Sequence, residues 1–332
     1  GFAMLYSAAG GKVDPWASRQ AVRFAVGMGL MLVVALIDIR FWFRHAYSYY
    51  GVVLFLLVVV EIAGDIGMGA RRWIDFGPIS LQPSEMMKVG VVLALARYFH
   101  AMDEAGVNRL LNLVPPLVLI ALPAALIVRQ PDLGTTITVV LCGAALLFLA
   151  GVAIWKFIVV GLVGAVLVPV VWQFLREYQR QRVLTFLDPG RDPLGTGYHI
   201  TQSKIALGSG GITGKGFLDG TQAHLNFLPE KQTDFIFTML AEEFGLIGSL
   251  TLLLLFLVVI FYALLIALRS RHQFGRLYAA GFAATLFIYV FVNTAMVMGL
   301  LPVVGVPLPF ISFGGTHLWT VLFGFGLLLS VS

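Results

Sequence analysis

The stretch Asn226-Phe-Leu-Pro-Glu-Lys-Gln-Thr-Asp-Phe-Ile-Phe-Thr-Met-Leu-Ala-Glu-Glu-Phe-Gly245 ends a polar loop and begins a long apolar helix. Thr233 or Asp234 is placed to cap that helix, since either side-chain oxygen can accept from a first-turn N–H. Phe235-Ile-Phe237 follows at once and suits lipid. An acid at this junction stands in the positive field of a helix N-terminus, beside a low-dielectric region. A lone Asp here is ordinarily a cap, so the weight of Asp234 depends on what else gathers at that depth.

Working outward, the 332 residues are 59% hydrophobic and 12% charged, with a mean hydropathy of +0.92. Soluble domains carry about 25% charge, so the chain reads as an all-α polytopic membrane protein whose core is completed by the bilayer. Cys142 is the single cysteine and lies in an apolar run, which excludes a disulfide framework and a Cys-rich metal site. Lys and Arg sit at span ends, so the net charge of +5 is a topology signal, not a nucleic-acid footprint. The opening Gly1-Phe-Ala-Met-Leu-Tyr6 reads as the tail of a hydrophobic segment, and the sequence as trimmed at both ends.

Spans of about 20 apolar residues fall at roughly 20–38, 47–63, 83–100, 111–128, 135–152, 154–176, 235–268, 276–299 and 308–330, after a remnant reaching Ala9. That predicts about ten transmembrane helices, the first truncated, in one domain over 1–332. The 235–268 segment is long enough to tilt or project beyond the bilayer. Short loops holding Arg40, Arg44, Arg97, Arg109, Lys156, Arg269, Arg271 and Arg276 are richer in positive charge than the alternate set, so they are expected in the cytoplasm. The large loop 177–233 is then extracytoplasmic. Its run Gly208-Ser-Gly-Gly-Ile-Thr-Gly-Lys-Gly216 is not a phosphate loop, because Ser209 stands where Gly is needed and Gly216 where Ser or Thr is needed. Turn chemistry is the expected role.

Three predicted helices begin at the outer surface with an acid. One starts Leu81-Gln-Pro-Ser-Glu-Met-Met-Lys88, with Pro83 in its first turn, Glu85 complementing the dipole and Lys88 a turn deeper on the same face. Another starts Arg129-Gln-Pro-Asp-Leu-Gly134, with Pro131 in the first turn beside Asp132. The third carries Asp234. One such start is a capped helix; three at one depth, joined by a loop bearing Glu230, point to a wet cavity with a site in it. Glu242 and Glu243 either face the same cavity or form structural pairs. Glu61 and Asp65 read as interfacial, and Asn293 as a buried interhelical hydrogen bond. No H-E-x-x-H and no G-x-S-x-G occurs, so no metal ligand set and no serine hydrolase is predicted. Leu301 to Gly315 holds three prolines among glycines and cannot be regular helix throughout; it reads as an outer loop dipping toward the bilayer against protein.

Gln82-Pro-Ser-Glu85, Gln130-Pro-Asp-Leu-Gly134, Asp192-Pro-Leu-Gly-Thr-Gly-Tyr198, Gln202-Ser203, Leu228-Pro-Glu-Lys-Gln-Thr-Asp-Phe-Ile-Phe237 and Gly305-Val-Pro-Leu-Pro-Phe-Ile-Ser312 resemble, in order and over essentially the whole chain, the bacterial shape, elongation, division and sporulation family. Tyr178-Gln-Arg-Gln-Arg182, His199-Ile-Thr-Gln-Ser-Lys204 with Gly208-Ser-Gly-Gly211, and Ala241-Glu-Glu243 are similar to its elongation branch. The chain departs from the family at Phe313, usually Tyr, and at His317, usually a small or hydroxyl residue. The resemblance implies a ten-span peptidoglycan glycosyltransferase that polymerises lipid II at the outer face of the cytoplasmic membrane during elongation. It also implies a class B penicillin-binding protein and the elongation machinery as partners, and Asp234 as the essential acid.

Such a reaction removes a proton from a sugar hydroxyl and expels a lipid pyrophosphate. A carboxylate serves as base, and cations, helix N-termini or a divalent ion such as Mg2+ or Mn2+ stabilise the leaving group. Asp234 is the expected base. Lys88, Arg71, Arg72 and Lys204 are the candidate phosphate contacts; Asp132 and Glu85 are expected either to hold Lys88 in place or to help ligate a cation, and Glu230 to line the substrate site. A lipid II flippase would use a similar cavity but needs polar groups at mid-depth, and a scaffold for the penicillin-binding protein would not need three charged helix starts.

Overall fold

A computed structural model describes residues 1–67, 70–75, 77, 80–175, 177–188, 190, 195–221 and 230–332. Its helices are α1 (Phe2–Ala8), α2 (Trp16–Ala35), α3 (Ile39–Ala63), α4 (Pro83–Phe99), α5 (Glu104–Val107), α6 (Leu110–Arg129), α7 (Leu133–Leu149), α8 (Ile154–Phe174), α9 (Glu177–Leu187), α10 (Thr196–Ser209), α11 (Ile236–Arg269), α12 (Gln273–Val297) and α13 (Thr316–Val331). Among the described residues, α2, α3, α6, α11 and α12 are both long and apolar enough to cross a bilayer, α7 and α13 are shorter apolar helices, and α8 is apolar over Ile154–Val170. With α4 and the short α1 the architecture is an all-α membrane bundle of about ten spans.

The bundle is centred on α4 and α12. Apolar residues cover α4 on every side, and nearly all of it is buried, from Pro83 through Ala96; a helix apolar all round needs such an enclosed place. It lies against α3, α6, α7, α12 and α13. By contrast, every residue of α8 from 158 to 170 is exposed. An apolar surface of that length, without protein cover, is a lipid-facing surface.

Two features differ from the sequence reading. The segment between α3 and α4 is not a plain loop: β1 (Asp65–Gly67), β2 (Ala70–Asp75) and β3 (Ser80–Leu81) form an antiparallel sheet in that order, pairing Ile66 with Arg71 and Ile74 with Leu81. Adjacent arginines in a six-residue strand hide the period-two pattern that would announce it. Second, α11 does not run unbroken. Gly245 takes φ 63° and ψ −159°, which splits the helix. The glycine-rich segment after α10 fills the break: Leu246 and Ile247 N–H donate to the Gly211 and Ile212 carbonyls at 2.9 and 3.1 Å, and Lys215 and Gly216 N–H donate to the Glu242 and Glu243 carbonyls, both at 3.1 Å. A Cβ on Gly210 or Gly214 would come within 2.1 Å of the Ala241 or Glu243 carbonyl oxygen, so these glycines serve close backbone approach.

Candidate functional site

Asp234 does not cap α11. The N-cap is Phe235, and neither Thr233 nor Asp234 supplies a side-chain cap bond. A short turn over 231–235 precedes the helix, so Asp234 falls one residue too early for capping geometry. Its main chain is braced instead. Asn293 Nδ2, on α12, donates to the Asp234 carbonyl at 3.0 Å and to the Val306 carbonyl at 2.7 Å. Ser312 Oγ donates to the Thr233 carbonyl at 2.7 Å, and Phe313 N–H to the Gln232 carbonyl at 2.8 Å. Gln20, buried on α2, donates to the Ser312 carbonyl at 3.2 Å and accepts from Gly314 N–H at 3.3 Å. The irregular segment 301–315 thus wraps the turn that carries Asp234, and three consecutive carbonyls are held from outside.

The Asp234 carboxyl lies beside Gly305, where φ is +72° and a Cβ would stand 3.3 Å from Oδ2. Although the residue keeps part of its surface open, burial pushes the carboxyl up from its ordinary 3.8 to about 7. The Glu230 and Asp132 carboxylates push the same way, and Arg182 on α9 opposes them. Glu230 itself sits at φ 50°, with Gln232 Nε2 and Thr233 Oγ1 each donating to its Oε2 at 3.2 Å.

The other two acidic helix starts meet through Gln82. Asp132 is the N-cap of α7 and accepts from Thr135 N–H at 3.1 Å and Thr135 Oγ1 at 2.9 Å. Pro131 therefore precedes the helix and is not in its first turn. Gln82 Nε2, at the start of α4, donates to Asp132 Oδ2 at 3.2 Å. One turn deeper, Lys88 Nζ lies 2.7 Å from Glu85 Oε1 and 4.5 Å above the Tyr289 ring. Glu85 Oε2 takes His317 Nδ1 at 2.8 Å and the Tyr289 hydroxyl at 3.3 Å. Lys88 is 1% exposed and Glu85 4%. Glu85 does hold Lys88, as expected, but Asp132 does not, and Lys88 is enclosed instead of facing an incoming phosphate. Glu85 and Asp132 are both engaged with donors, so neither fits as a ready cation ligand. Among the described residues no cluster of three His, Cys, Asp or Glu could hold a metal ion.

The remaining candidates separate. Arg72 donates from Nε to the Gln130 carbonyl at 3.2 Å and from Nη2 to the Pro131 carbonyl at 2.5 Å, so it ties β2 to the start of α7. Lys204 on α10 is exposed and lies across Gly299. The Arg71 side chain, residues 191–194 and residues 222–229 lie outside the described residues, and with them Leu228 and Pro229. Glu242 and Glu243 form structural pairs: Glu242 Oε1 takes Lys215 Nζ at 2.7 Å and Thr221 Oγ1 at 3.1 Å, and Glu243 accepts from Ser7. Asn293 is buried as expected, but its partners are loop carbonyls and not another helix. Ser312, Gln20, His317 and Arg182 were not singled out as site residues by sequence; the glycine and proline spacing around Ser312 was the available signal.

The family described as cell cycle protein, comprising FtsW, RodA and SpoVE, matches residues 2–332. Peptidoglycan glycosyltransferase MrdB of Escherichia coli (strain K12) is 47% identical over 330 residues, covering 99% of this chain and 88% of the relative. A chain from a structure described as the structural coordination of polymerization and crosslinking by a peptidoglycan synthase complex superposes with a TM-score of 0.84 at 33% identity, covering 99% of this chain and 94% of that one. The Thermus thermophilus rod shape determining protein RodA superposes at 0.74 with 29% identity, covering 99% and 91%.

Proposed function

We propose, from the premise that this chain belongs to the cell cycle protein family of FtsW, RodA and SpoVE, that Asp234 is the general base of its reaction. The chain is a peptidoglycan glycosyltransferase and a multi-pass protein of the bacterial inner membrane. In the proposed step a sugar hydroxyl of one lipid II attacks the anomeric carbon of a lipid-linked glycan. Its proton passes to the Asp234 carboxylate, the bond from the anomeric carbon to the pyrophosphate oxygen breaks, and the lipid pyrophosphate leaves with the electron pair.

The observation that carries this assignment is an acid that caps no helix, on a turn whose three consecutive carbonyls are held by α12 and the 301–315 segment, with burial pushing its carboxyl up to about 7. A base near the working pH is ionised often enough to act and basic enough to take the proton. Because it caps nothing, its acceptor capacity is available to a substrate. Bracing matters, since a 1 Å misplacement of a reacting group can cost about a hundredfold in rate. Lys204 and the α4 N-terminus supply positive potential for the leaving group, and Lys88 contributes its charge from beneath the surface.

An apolar groove of about 160 Å³ between α11, α12 and α13 reaches Phe310 and Ile311, on the segment that carries Ser312. Lined by Leu252, Phe256, Leu286 and Phe325, it has room for a few isoprene units of a lipid tail. We place the site on the extracytoplasmic side, on the asymmetry of Lys and Arg between alternate loops. The partner is a class B penicillin-binding protein that cross-links the product, in keeping with the polymerising and crosslinking complex of the structural relative. The test is incubation of the purified chain and that partner with lipid II in detergent. Glycan strands that a muramidase digests support the reading; lipid II left unchanged overturns it.

A further inference from the structure

The Glu85–Lys88 pair is closed by residues from two other helices. Thr316 Oγ1, at the start of α13, donates to the Ser80 carbonyl at 2.9 Å and accepts from Gln82 N–H at 3.1 Å. The starts of α4 and α13 are thereby fixed together, and His317 is carried to Glu85. Its ring meets the Tyr289 ring edge to face, with centroids 4.8 Å apart at 82°. His317 is 6% exposed, and its Nε2 has no hydrogen-bond partner among the described residues. Glu85 Oε2 accepts, so Nδ1 carries a proton.

Glu85 and Lys88 are flexible side chains three residues apart, and contact between them alone does not fix where the ammonium stands. Oε1 takes Lys88, so the carboxylate can turn unless Oε2 is also held. Tyr289 holds Oε2 only at 3.3 Å, at the long end for a hydroxyl donor. His317, at 2.8 Å, is the short contact.

We propose that His317 is a positioning residue: its Nδ1–H anchors Glu85 Oε2, orients the carboxylate and so sets the position of the Lys88 ammonium. The link to catalysis rests on the role given to Lys88 above; the positioning does not. Asn and Gln separate this from a mere need for a polar side chain. The Asn amide nitrogen is bonded to Cγ, as Nδ1 is, whereas the Gln amide lies one bond further, toward the place of Nε2.

The test combines two readouts on the full chain in detergent with its partner. Reductive methylation by formaldehyde and cyanoborohydride, mapped by peptide mass spectrometry, reports the accessibility of Lys88. Lys88 should be protected in the wild type and in His317→Asn, and should react at least about tenfold faster in His317→Gln and His317→Leu. Lipid II polymerisation should follow the same order, with kcat falling about tenfold or more in Gln and Leu, KM within threefold, and Asn restoring most of kcat. Equal protection of Lys88 in Asn, Gln and Leu overturns the proposal. If the labelling order holds while Lys88→Met polymerises normally, the positioning stands and the catalytic role of Lys88 falls.

Discussion

Asn293→Ala removes the amide that ties the Asp234 turn to the segment after α12. Its Nδ2 serves two carbonyls, at 3.0 and 2.7 Å, and the residue is fully buried. A buried acceptor left unpaired costs about 1–3 kcal/mol, toward the lower end for a carbonyl. Two of them give a total of roughly 2–4 kcal/mol. Where that hold acts on the placement of Asp234, each 1.36 kcal/mol is a tenfold change in rate, so kcat should fall roughly 30-fold to 1,000-fold. KM should move little, because nothing that touches lipid II is removed. Asn293→Asp should be worse, since it sets a carboxylate oxygen against one or both carbonyls. The assay is polymerisation of labelled lipid II, resolved by chain length, beside a thermal-stability measurement. An Asn293→Ala protein that polymerises within twofold of wild type would show that Asp234 is placed by something other than this brace.

Gly305→Ala should slow the reaction at least about tenfold, because φ +72° strains an L-residue and the new methyl would stand 3.3 Å from Asp234 Oδ2; an unchanged rate would argue against close confinement of that carboxylate. The rate should climb as pH rises through about 7, as Asp234 ionises, and a flat profile from pH 5.5 to 8.5 would contradict the base assignment. Lys88→Met should leave a folded, membrane-inserted protein with little activity, since His317 and Tyr289 still hold Glu85 while the buried ammonium is lost; wild-type polymerisation would remove Lys88 from the account. In a Cys142→Ala background, Ser209→Cys should react with an impermeant thiol reagent on spheroplasts and Arg271→Cys should not, and the reverse pattern would invert the topology.

The sequence disclosed what periodicity and helix starts can disclose. Apolar runs located the spans, and Pro83, Glu85 and Asp132 marked helix starts that the structure keeps. The break at Gly245 was not legible, because the surrounding residues read as uninterrupted apolar helix and the interruption depends on backbone bonds to a segment more than 25 residues earlier. The bracing of Asp234 was hidden for a similar reason. Ser312 and Gln20 are unremarkable in their own neighbourhoods and acquire a role only when α2, α12 and the 301–315 segment converge. Lys88 looked available at a helix start, but its enclosure depends on Tyr289 and His317, more than 200 residues away.

The central claim is that Asp234 takes the proton. The measurement is the single-turnover rate and lipid II affinity of Asp234→Asn, with its thermal stability at pH 5 and pH 8. Asn keeps the size and cannot accept the proton, so the rate should fall by about two to four orders of magnitude while affinity survives. The carboxyl has a higher pKa folded than unfolded, so it holds more protons when folded and its contribution to stability falls as pH rises from about 4 to about 7. The stability gain of Asp234→Asn over wild type should therefore be larger at pH 8 than at pH 5. A stable Asp234→Asn protein that polymerises lipid II at a near-normal rate would contradict the account and move the base to Glu230 or Asp132.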